Sequence, residues 1–355
     1  MLCIAGLLAA CATLPGESEL LVAPPPHAAL LARGELSDGR ARFRRIFCDI
    51  LQSGAVTDSP EDCAQALWRL PDEAATPAAR PGEAAAPQAL RVMLVTGAFS
   101  DCFGTDAIPF QDAHASLRSL GHRVETIRVD GRSGSTHNAG QIAAYLREHT
   151  QPDERGLVLV GYSKGTTDVL EFLVAEPELA LRVDGVISVA GSVGGSPLAQ
   201  QAGGLYALLF AHLPYRSCPP GDAQVIESLR PELRRDWLLR NPLPAHVRYY
   251  SVAAFTTRDR VARALLPSWE ILFREDRRND GQLLPADALI PGSTLLGYVH
   301  ADHWAAAIAI ERELPWLAAR TTSAPFPRAA LITAILRVVA EDMSAQAPAG
   351  ARGAT

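Results

Sequence analysis

From Leu90 onwards, short apolar runs alternate along the chain with amphipathic stretches. The apolar runs have the length and composition of buried strands, and they occupy residues 91–96, 123–129, 156–160, 183–190 and 246–253. The stretches between them repeat apolar residues at helical spacing, over 110–120, 138–148 and 166–174. This alternation predicts a doubly wound, mostly parallel α/β sheet, in which ligands bind beyond the carboxyl ends of the strands.

The regions outside this alternation have different patterns. Residues 27–70 carry apolar side chains at helical spacing, which predicts a small helical N-terminal segment. Residues 71–89 are rich in Ala, Pro and Glu, which is typical of a linker. We therefore assign an α/β domain to 90–320, with a cap or lid insertion over about 197–244, and a C-terminal helix and tail to 321–355.

The first apolar run, residues 2–12, has the length of the hydrophobic part of a signal peptide and is too short to cross a bilayer. It ends in a Leu-Ala-Ala-Cys sequence at Cys11, which resembles the lipobox of bacterial lipoproteins. The resemblance implies a signal peptide over 1–10, acylation of Cys11 and a tether over 11–26. An exported protein would then be held at the bacterial envelope by lipid, at the outer membrane or in the periplasm. No Lys or Arg precedes the run, and a helix packed on the domain is the alternative.

Composition narrows the possible classes of function. The chain has 355 residues, of which 48% are hydrophobic and 20% are charged, and this length suits one large domain or two small ones. The formal net charge of -6, with both signs present, lacks the basic character of a nucleic-acid-binding protein. No internal apolar run reaches the roughly 18 residues of a membrane-spanning helix, which excludes a polytopic membrane protein.

Cysteine usage agrees with export. Besides the two cysteines of the N-terminal run, the chain has four, an even number that suits a disulfide-permissive compartment: Cys48, Cys63, Cys102 and Cys218. Cys48 and Cys63 flank a short segment rich in turn residues, so we predict a Cys48–Cys63 disulfide. Cys102 and Cys218 remain as the second pair. Four buried free thiols are the alternative.

The third predicted strand runs into the sequence Gly-Tyr-Ser-Lys-Gly, with Ser163 at its centre, and a predicted helix follows. This is G-x-S-x-G between a strand and a helix, the nucleophile elbow, in which a sharp turn projects the serine hydroxyl above the sheet. Gly161 and Gly165 remove Cβ atoms that would block the close approach of strand and helix. A tight turn with a capping serine is the alternative. The strand–turn–helix context favours a nucleophile at Ser163.

With this motif, about residues 90–316 resemble an α/β-hydrolase of the bacterial lipase and esterase kind. The resemblance implies a catalytic triad in the chain order serine, acid, histidine. Asp280 lies in an Asn-Asp-Gly turn that resembles the acid loop of bacterial lipases, and His303 lies just before a predicted helix over 305–310. The resemblance therefore implies Ser163 as the nucleophile, His303 as the base and Asp280 as the acid.

Other residues compete for two of these roles. The acid could instead be Asp276, Asp259 or Asp287, because an Asn-Asp-Gly sequence is also a common turn without chemistry. His300 lies three residues before His303 and could be the base. We favour His303 because it directly precedes the predicted helix and a large apolar tryptophan.

The oxyanion of a tetrahedral intermediate needs preorganised N–H donors. The resemblance implies the backbone N–H of Lys164 as one donor, and a second donor in the loop after the first strand, where we favour Ala98 over Phe99. Asp302 could be a calcium ligand, as in some bacterial lipases. In those lipases, however, the acidic residue follows the histidine, whereas here it precedes it. We therefore expect neither a metal nor a cofactor.

Together these observations predict a serine hydrolase that cleaves carboxylic esters through an acyl-enzyme on Ser163. Its substrate would be a small-molecule or lipid ester. An amidase, a peptidase, a polyester depolymerase or an acyltransferase could use the same triad. A non-catalytic binding protein of the envelope, with the same fold, is the alternative of a different class.

Overall fold

The computed structural model describes residues 17–22, 25–54, 56, 62–77, 88–103, 108–201, 221–222, 224–310 and 326–345 of the chain. The predicted signal peptide with Cys11, part of the tether, the middle of the cap insertion with Cys218, and the C-terminal tail lie outside the described residues.

Eight strands form a single sheet. They are β1 (Leu36–Asp38), β2 (Leu67–Trp68), β3 (Arg91–Val95), β4 (Arg123–Ile127), β5 (Leu157–Tyr162), β6 (Gly185–Val189), β7 (Arg248–Ala254) and β8 (Ser293–Val299). The order across the sheet is β1-β8-β7-β6-β5-β3-β4, with every pair of neighbours parallel, and β2 pairs antiparallel with β8. The predicted fold class, a mostly parallel and doubly wound sheet, is confirmed.

Helices cover both faces of this sheet. The α-helices among the described residues are α1 (Glu17–Val22), α2 (Ala28–Ala32), α3 (Arg40–Ser53), α4 (Cys63–Ala66), α5 (His114–Ser119), α6 (Ser135–His149), α7 (Lys164–Ala175), α8 (Pro177–Ala180), α9 (Pro197–Gln201), α10 (Pro231–Arg240), α11 (Leu266–Leu272) and α12 (Arg328–Ala345). Helices α3, α5 and α12 pack on one face, and α6 and α7 on the other. In the described part of the chain, no helix is both long and apolar enough to cross a membrane.

The central strands consist mostly of apolar residues because both faces of the sheet are covered. In β3, Val92 and Leu94 pack in the cluster below α3 and α12, while Met93 and Val95 pack in the cluster below α6 and α7. All five residues of β3 are buried. A parallel sheet covered on both faces requires such continuous apolar runs, which is why the sequence pattern predicts these strands well.

The N-terminal segment is part of this sheet rather than a separate helical unit. Within 27–70, most of the regular structure is helical, as expected, but β1 pairs with the start of β8 and β2 pairs with its end. Strands of three and two residues are too short to produce a period in the sequence. Between them, α3 lies over β8, where the ring of Phe43 packs above Gly297.

The predicted Cys48–Cys63 disulfide is present. Cys48 lies in α3 and Cys63 begins α4, and their Cα atoms are 5.2 Å apart. The bridge closes the connection between two helices that precede β2. Cys102 is also disulfide-bonded, and Cys218, its predicted partner, lies outside the described residues.

Candidate active site

Ser163 lies in a sharp turn between β5 and α7. Its backbone has a φ of 55° and a ψ of −129°. This conformation is energetically unfavourable for any residue other than glycine. A Cβ on Gly165 would lie 2.6 Å from the carbonyl oxygens of Val95 and Thr96, so the helix can approach β3 this closely only with glycine there. The strained turn therefore depends on the small residues of the motif.

The serine hydroxyl belongs to a chain of hydrogen bonds with an imidazole and a carboxylate. His303 Nε2 lies 2.9 Å from Ser163 Oγ, and His303 Nδ1 lies 2.7 Å from Asp280 Oδ2. The other carboxylate oxygen, Asp280 Oδ1, accepts the N–H groups of Gln282 and Leu283 at 2.8 and 2.7 Å. Because these two donors orient the carboxylate, Oδ2 faces the imidazole. The structure thus brings together the three residues that the sequence predicts as a triad.

Burial reinforces this geometry. Asp280 is 1% exposed and His303 is 4% exposed, so water competes little for their hydrogen bond. The backbone N–H of His303 also donates to the carbonyl oxygen of Asp280 at 2.8 Å. Because a carboxylate oxygen accepts a hydrogen bond from Nδ1, the imidazole tautomer with its proton on Nδ1 is favoured. The lone pair on Nε2 is then left to accept the hydrogen bond of the serine hydroxyl.

Residues 303–307, around the histidine, form turns, and helical backbone is reached only at residue 310, so the predicted helix over 305–310 is wrong for all but its last residue. The side chain of Asp302 accepts the backbone N–H of Ala305 at 2.8 Å and that of Ala262 at 2.6 Å. The carbonyl oxygen of Ala305 accepts a hydrogen bond from Arg328 at 3.3 Å. These side-chain contacts, one of them from within the segment, hold the turns in place.

The same contacts bear on the calcium hypothesis for Asp302. Both of its carboxylate oxygens are occupied by backbone N–H groups, and burial raises its pKa to about 6. A carboxylate used in this way organises the loop beside His303 and is a poor ligand for a cation. Over the residues that the structure describes, no three His, Cys, Asp or Glu side chains are grouped to hold a metal ion.

Two backbone N–H groups near the serine are candidate oxyanion donors. Lys164 is the first residue of α7, where the N–H has no acceptor within the helix. On the other side, Gly97 lies against the serine, because a Cβ on Gly97 would be 3.1 Å from Ser163 Cβ. Of the next two residues, Phe99 donates its N–H to the carbonyl oxygen of Gly131 at 3.0 Å. That bond occupies the Phe99 N–H and favours Ala98.

The competing histidine has a different environment. The ring of His300 packs against that of Trp68, with centroids 4.0 Å apart, and burial lowers its pKa to about 4. Its backbone N–H donates to the carbonyl oxygen of Ala66 at 2.9 Å. His300 therefore faces the N-terminal segment, and the hydrogen bond to Ser163 comes from His303.

The competing acids also lie elsewhere. Asp276 forms an ion pair with Arg278 at 3.1 Å, and Asp259 is exposed in a short 3-10 helix. Asp287 is partly buried, its loss of hydration raises its pKa to about 6, and the cation nearest to it is Arg235 at 4.0 Å. None of the three is hydrogen-bonded to the imidazole within the described residues.

Two side chains next to the nucleophile were not predicted to matter. Tyr162 donates its hydroxyl to the carbonyl oxygen of His303 at 2.8 Å. Lys164 Nζ lies 2.6 Å from Asp168 Oδ1, with both side chains 1% exposed, and Asn138 donates to Asp168 Oδ2 at 2.8 Å. The helical spacing of Lys164 and Asp168 is a signal for the ion pair. The hydrogen bond from Tyr162 to His303 has no signal in the sequence, because 141 residues separate the two partners.

The chain is similar in sequence and structure to a carboxyl esterase from a metagenome. The two are 37% identical, the match covers 92% of this chain and 98% of the other, and the TM-score is 0.81. The mature form of a Bacillus licheniformis lipase is 22% identical over 64% of this chain and 89% of the other, with a TM-score of 0.48. An extracellular α/β-hydrolase from a Paenibacillus species is 14% identical over 71% and 98%, with a TM-score of 0.36.

No protein-family model matches the sequence, and no curated protein matches it either. The similarity to the metagenomic esterase extends over nearly the whole of both chains. The chain therefore belongs to the α/β-hydrolase superfamily, among enzymes related to this carboxyl esterase.

Proposed function

We propose that the protein hydrolyses carboxylic esters, with Ser163 as nucleophile, His303 as general base and Asp280 as the orienting acid. The observation that carries the proposal is the unbroken hydrogen-bonded chain from Ser163 Oγ through both imidazole nitrogens to the Asp280 carboxylate. The similarity to a carboxyl esterase supports an ester as the substrate. The substrate class is a small-molecule or lipid ester.

The first half of the reaction forms an acyl-enzyme. Ser163 Oγ attacks the ester carbonyl carbon while His303 Nε2 removes its proton, because a neutral hydroxyl is a poor nucleophile. The resulting oxyanion accepts hydrogen bonds from the backbone N–H groups of Lys164 and Ala98. The tetrahedral intermediate then collapses, the bond to the alcohol breaks, and His303 returns the proton to the departing alkoxide.

The second half reverses these roles with water. His303 removes a proton from a water molecule, whose oxygen attacks the acyl carbon on Ser163. Collapse of the second tetrahedral intermediate releases the carboxylic acid and restores the serine hydroxyl. In both halves the Asp280 carboxylate holds the imidazole in one tautomer and stabilises its protonated form.

Fluorophosphonate labelling with a parallel ester assay tests this proposal. We expect an adduct on Ser163 and turnover of p-nitrophenyl esters, and a Ser163→Ala variant that folds but loses both. The chain-length profile of the esters separates an esterase from a lipase. An adduct without turnover would overturn the ester substrate, and absence of an adduct in folded protein would favour the non-catalytic binding protein.

We also propose that the chain is exported and held at the bacterial envelope by lipid on Cys11. The lipobox-like sequence supports this, as does the Cys48–Cys63 disulfide, because disulfides persist in oxidising compartments. Mass spectrometry of the native protein tests it. We expect a chain that begins at an acylated Cys11, and a native chain that still carries residues 1–10 would contradict the proposal.

A further inference from the structure

The residue before the nucleophile contacts the residue that serves as its base. Tyr162 is the last residue of β5, is 4% exposed, and donates its hydroxyl to the carbonyl oxygen of His303 at 2.8 Å. The two rings lie 5.2 Å apart, with their planes tilted by 30°. The contact joins the nucleophile's turn to the backbone of the histidine.

The backbone of His303 is thereby held on both sides of its Cα atom, through the peptide unit before it and the one after it. Its N–H donates to the carbonyl oxygen of Asp280, and its C=O accepts from Tyr162. The surrounding segment has no helix to make it rigid, since residues 303–307 form turns. The backbone position of the histidine therefore depends on such individual bonds.

The tyrosine bond differs from the other bonds of this segment in its origin. Asp302 lies in the same segment, and Arg328 comes from α12. Tyr162 is covalently adjacent to Ser163, so a change in its position moves the nucleophile too. A bond from this residue couples the position of His303 directly to that of the hydroxyl it must deprotonate.

We propose that Tyr162 is a positioning residue, whose hydroxyl holds the His303 backbone so that Nε2 stays within hydrogen-bond distance of Ser163 Oγ. The inference rests on the proposed triad. The hydroxyl keeps its proton under all working conditions, because burial and the charges of Asp280 and Asp302 raise the Tyr162 pKa well above its usual value. It is therefore a permanent donor, and it takes no part in proton transfer.

The test is a Tyr162→Phe variant with Tyr249→Phe as a matched control. Tyr249 is also a buried strand tyrosine that donates its hydroxyl to a backbone carbonyl oxygen, that of Pro244 at 3.1 Å, but it lies in β7 away from the site. Both variants lose one oxygen atom and one hydrogen bond. A purely structural role for Tyr162 predicts the same behaviour in both.

For Tyr162→Phe we expect kcat to fall about tenfold with KM changed by less than about twofold, since a displaced base affects the transition state more than substrate binding. We expect Tyr249→Phe to keep wild-type kcat. The fluorophosphonate labelling rate of Ser163 should fall with kcat, and the downfield proton resonance of the His303–Asp280 hydrogen bond should shift or broaden only in Tyr162→Phe.

Each rate is divided by the concentration of active sites, measured as the amount of fluorophosphonate adduct on Ser163. A partly folded preparation then still reports the activity of its folded molecules. Wild-type kcat and an unchanged downfield resonance in Tyr162→Phe would overturn the inference. An equal loss of kcat in both variants would overturn it as well. These results are distinct from failure of the proposed triad, in which Ser163→Ala itself would retain activity.

Discussion

Among the described residues, two buried histidines each join a carboxylate to a hydroxyl, and they lie in different regions. One belongs to the candidate site. The other is His27 at the start of α2, whose Nε2 lies 2.8 Å from Asp72 Oδ2 and whose Nδ1 lies 2.7 Å from the Tyr298 hydroxyl. In both places, hydrogen bonds of similar length link a carboxylate to an imidazole and the imidazole to a hydroxyl. By this criterion alone, the cluster around His27 resembles a catalytic triad.

The surroundings of the two hydroxyls differ. Tyr298 lies within β8 and is 1% exposed, and burial raises its pKa far above its usual value. The carboxylate of Asp72 also pairs with Arg40 at 3.0 Å, and that arginine binds Asp38 too. This second cluster therefore ties the segment before β3 to the sheet. It has neither a strained turn nor free helix N–H groups beside its hydroxyl.

Ser163, by contrast, lies at the carboxyl end of β5 with a φ of 55° and α7 beginning at the next residue. The comparison shows that the acid–imidazole–hydroxyl chain is common to a structural cluster and a candidate catalytic one. What distinguishes the catalytic candidate is the turn that projects the hydroxyl and the N–H donors beside it. The predictions below test this distinction.

Removing each imidazole should have opposite consequences. We expect His303→Ala to lower kcat by about 10,000-fold, because the nucleophile loses its base. We expect His27→Ala to leave kcat within about twofold of wild type but to lower the free energy of unfolding by about 3 kcal/mol, since Asp72 and Tyr298 lose a buried partner. Ester turnover and urea unfolding measure the two effects.

A large loss of kcat in fully folded His27→Ala would break this distinction, because the N-terminal cluster would then contribute to chemistry. His303→Ala with wild-type turnover would break it from the other side. Each variant serves as the control of the other, since both remove a buried imidazole from a carboxylate.

Replacing the carboxylates of Asp280 and Asp72 should also affect kcat unequally, with the larger loss at the candidate site. We expect Asp280→Asn to lower kcat by about 1,000-fold, because an amide that donates to Nδ1 stabilises the wrong imidazole tautomer. Asp72→Asn should leave kcat unchanged, since its imidazole has no reaction to support. The measurement is kcat of the two variants at equal concentrations of active sites, counted by the fluorophosphonate adduct on Ser163. Equal kcat in the two variants would contradict the role of Asp280.

Displacing the proposed oxyanion donor at Ala98 should have an effect on kcat of intermediate size. A Cβ on Gly131 would lie 2.5 Å from Phe99 N and 2.7 Å from its Cα, so Gly131→Ala must displace the loop that carries Ala98. We expect kcat to fall about 10- to 100-fold. Gly140→Ala, in α6 where a Cβ meets no atom within 4 Å, should keep wild-type kcat and gain about 1 kcal/mol of stability.

If Gly131→Ala kept wild-type kcat, the oxyanion donor would not come from this loop. If Gly140→Ala lost as much activity as Gly131→Ala, general disturbance of the region would explain both.

The central strands and the elbow could be predicted because their signals are local. A buried parallel strand is an uninterrupted apolar run, and β3 (Arg91–Val95) lies within the predicted 91–96. The motif around Ser163 depends on residues next to one another. By comparison, β8 (Ser293–Val299) was not predicted, since it includes Gly297 and lies between two loops.

Contacts between distant residues could not be predicted in this way. The turns around His303 are held by contacts from Asp302 to Ala262 and from Arg328 to Ala305, and only the folded chain brings these residues together. The bond from Tyr162 to His303 is of the same kind. The choice of His303 over His300 rested on the helix expected after it. Residues 305–309 are not helical, and the hydrogen bond to Ser163 nonetheless comes from His303.

The smallest expected effect concerns His300, a further buried histidine. Burial lowers its pKa from 6.5 to about 4 in the folded protein, so between these values the unfolded chain binds the proton and the folded chain does not. The free energy of unfolding should therefore fall as the pH drops from about 6.5 to 4, with about 2 kcal/mol lost at pH 5. His300→Phe keeps an aromatic ring against Trp68 and removes the titrating group. We expect it to reduce the difference in unfolding free energy between pH 7 and pH 5 by that amount and to leave kcat unchanged. A large loss of kcat would make His300 part of the reaction, and an unchanged pH dependence would assign the acid sensitivity to other groups.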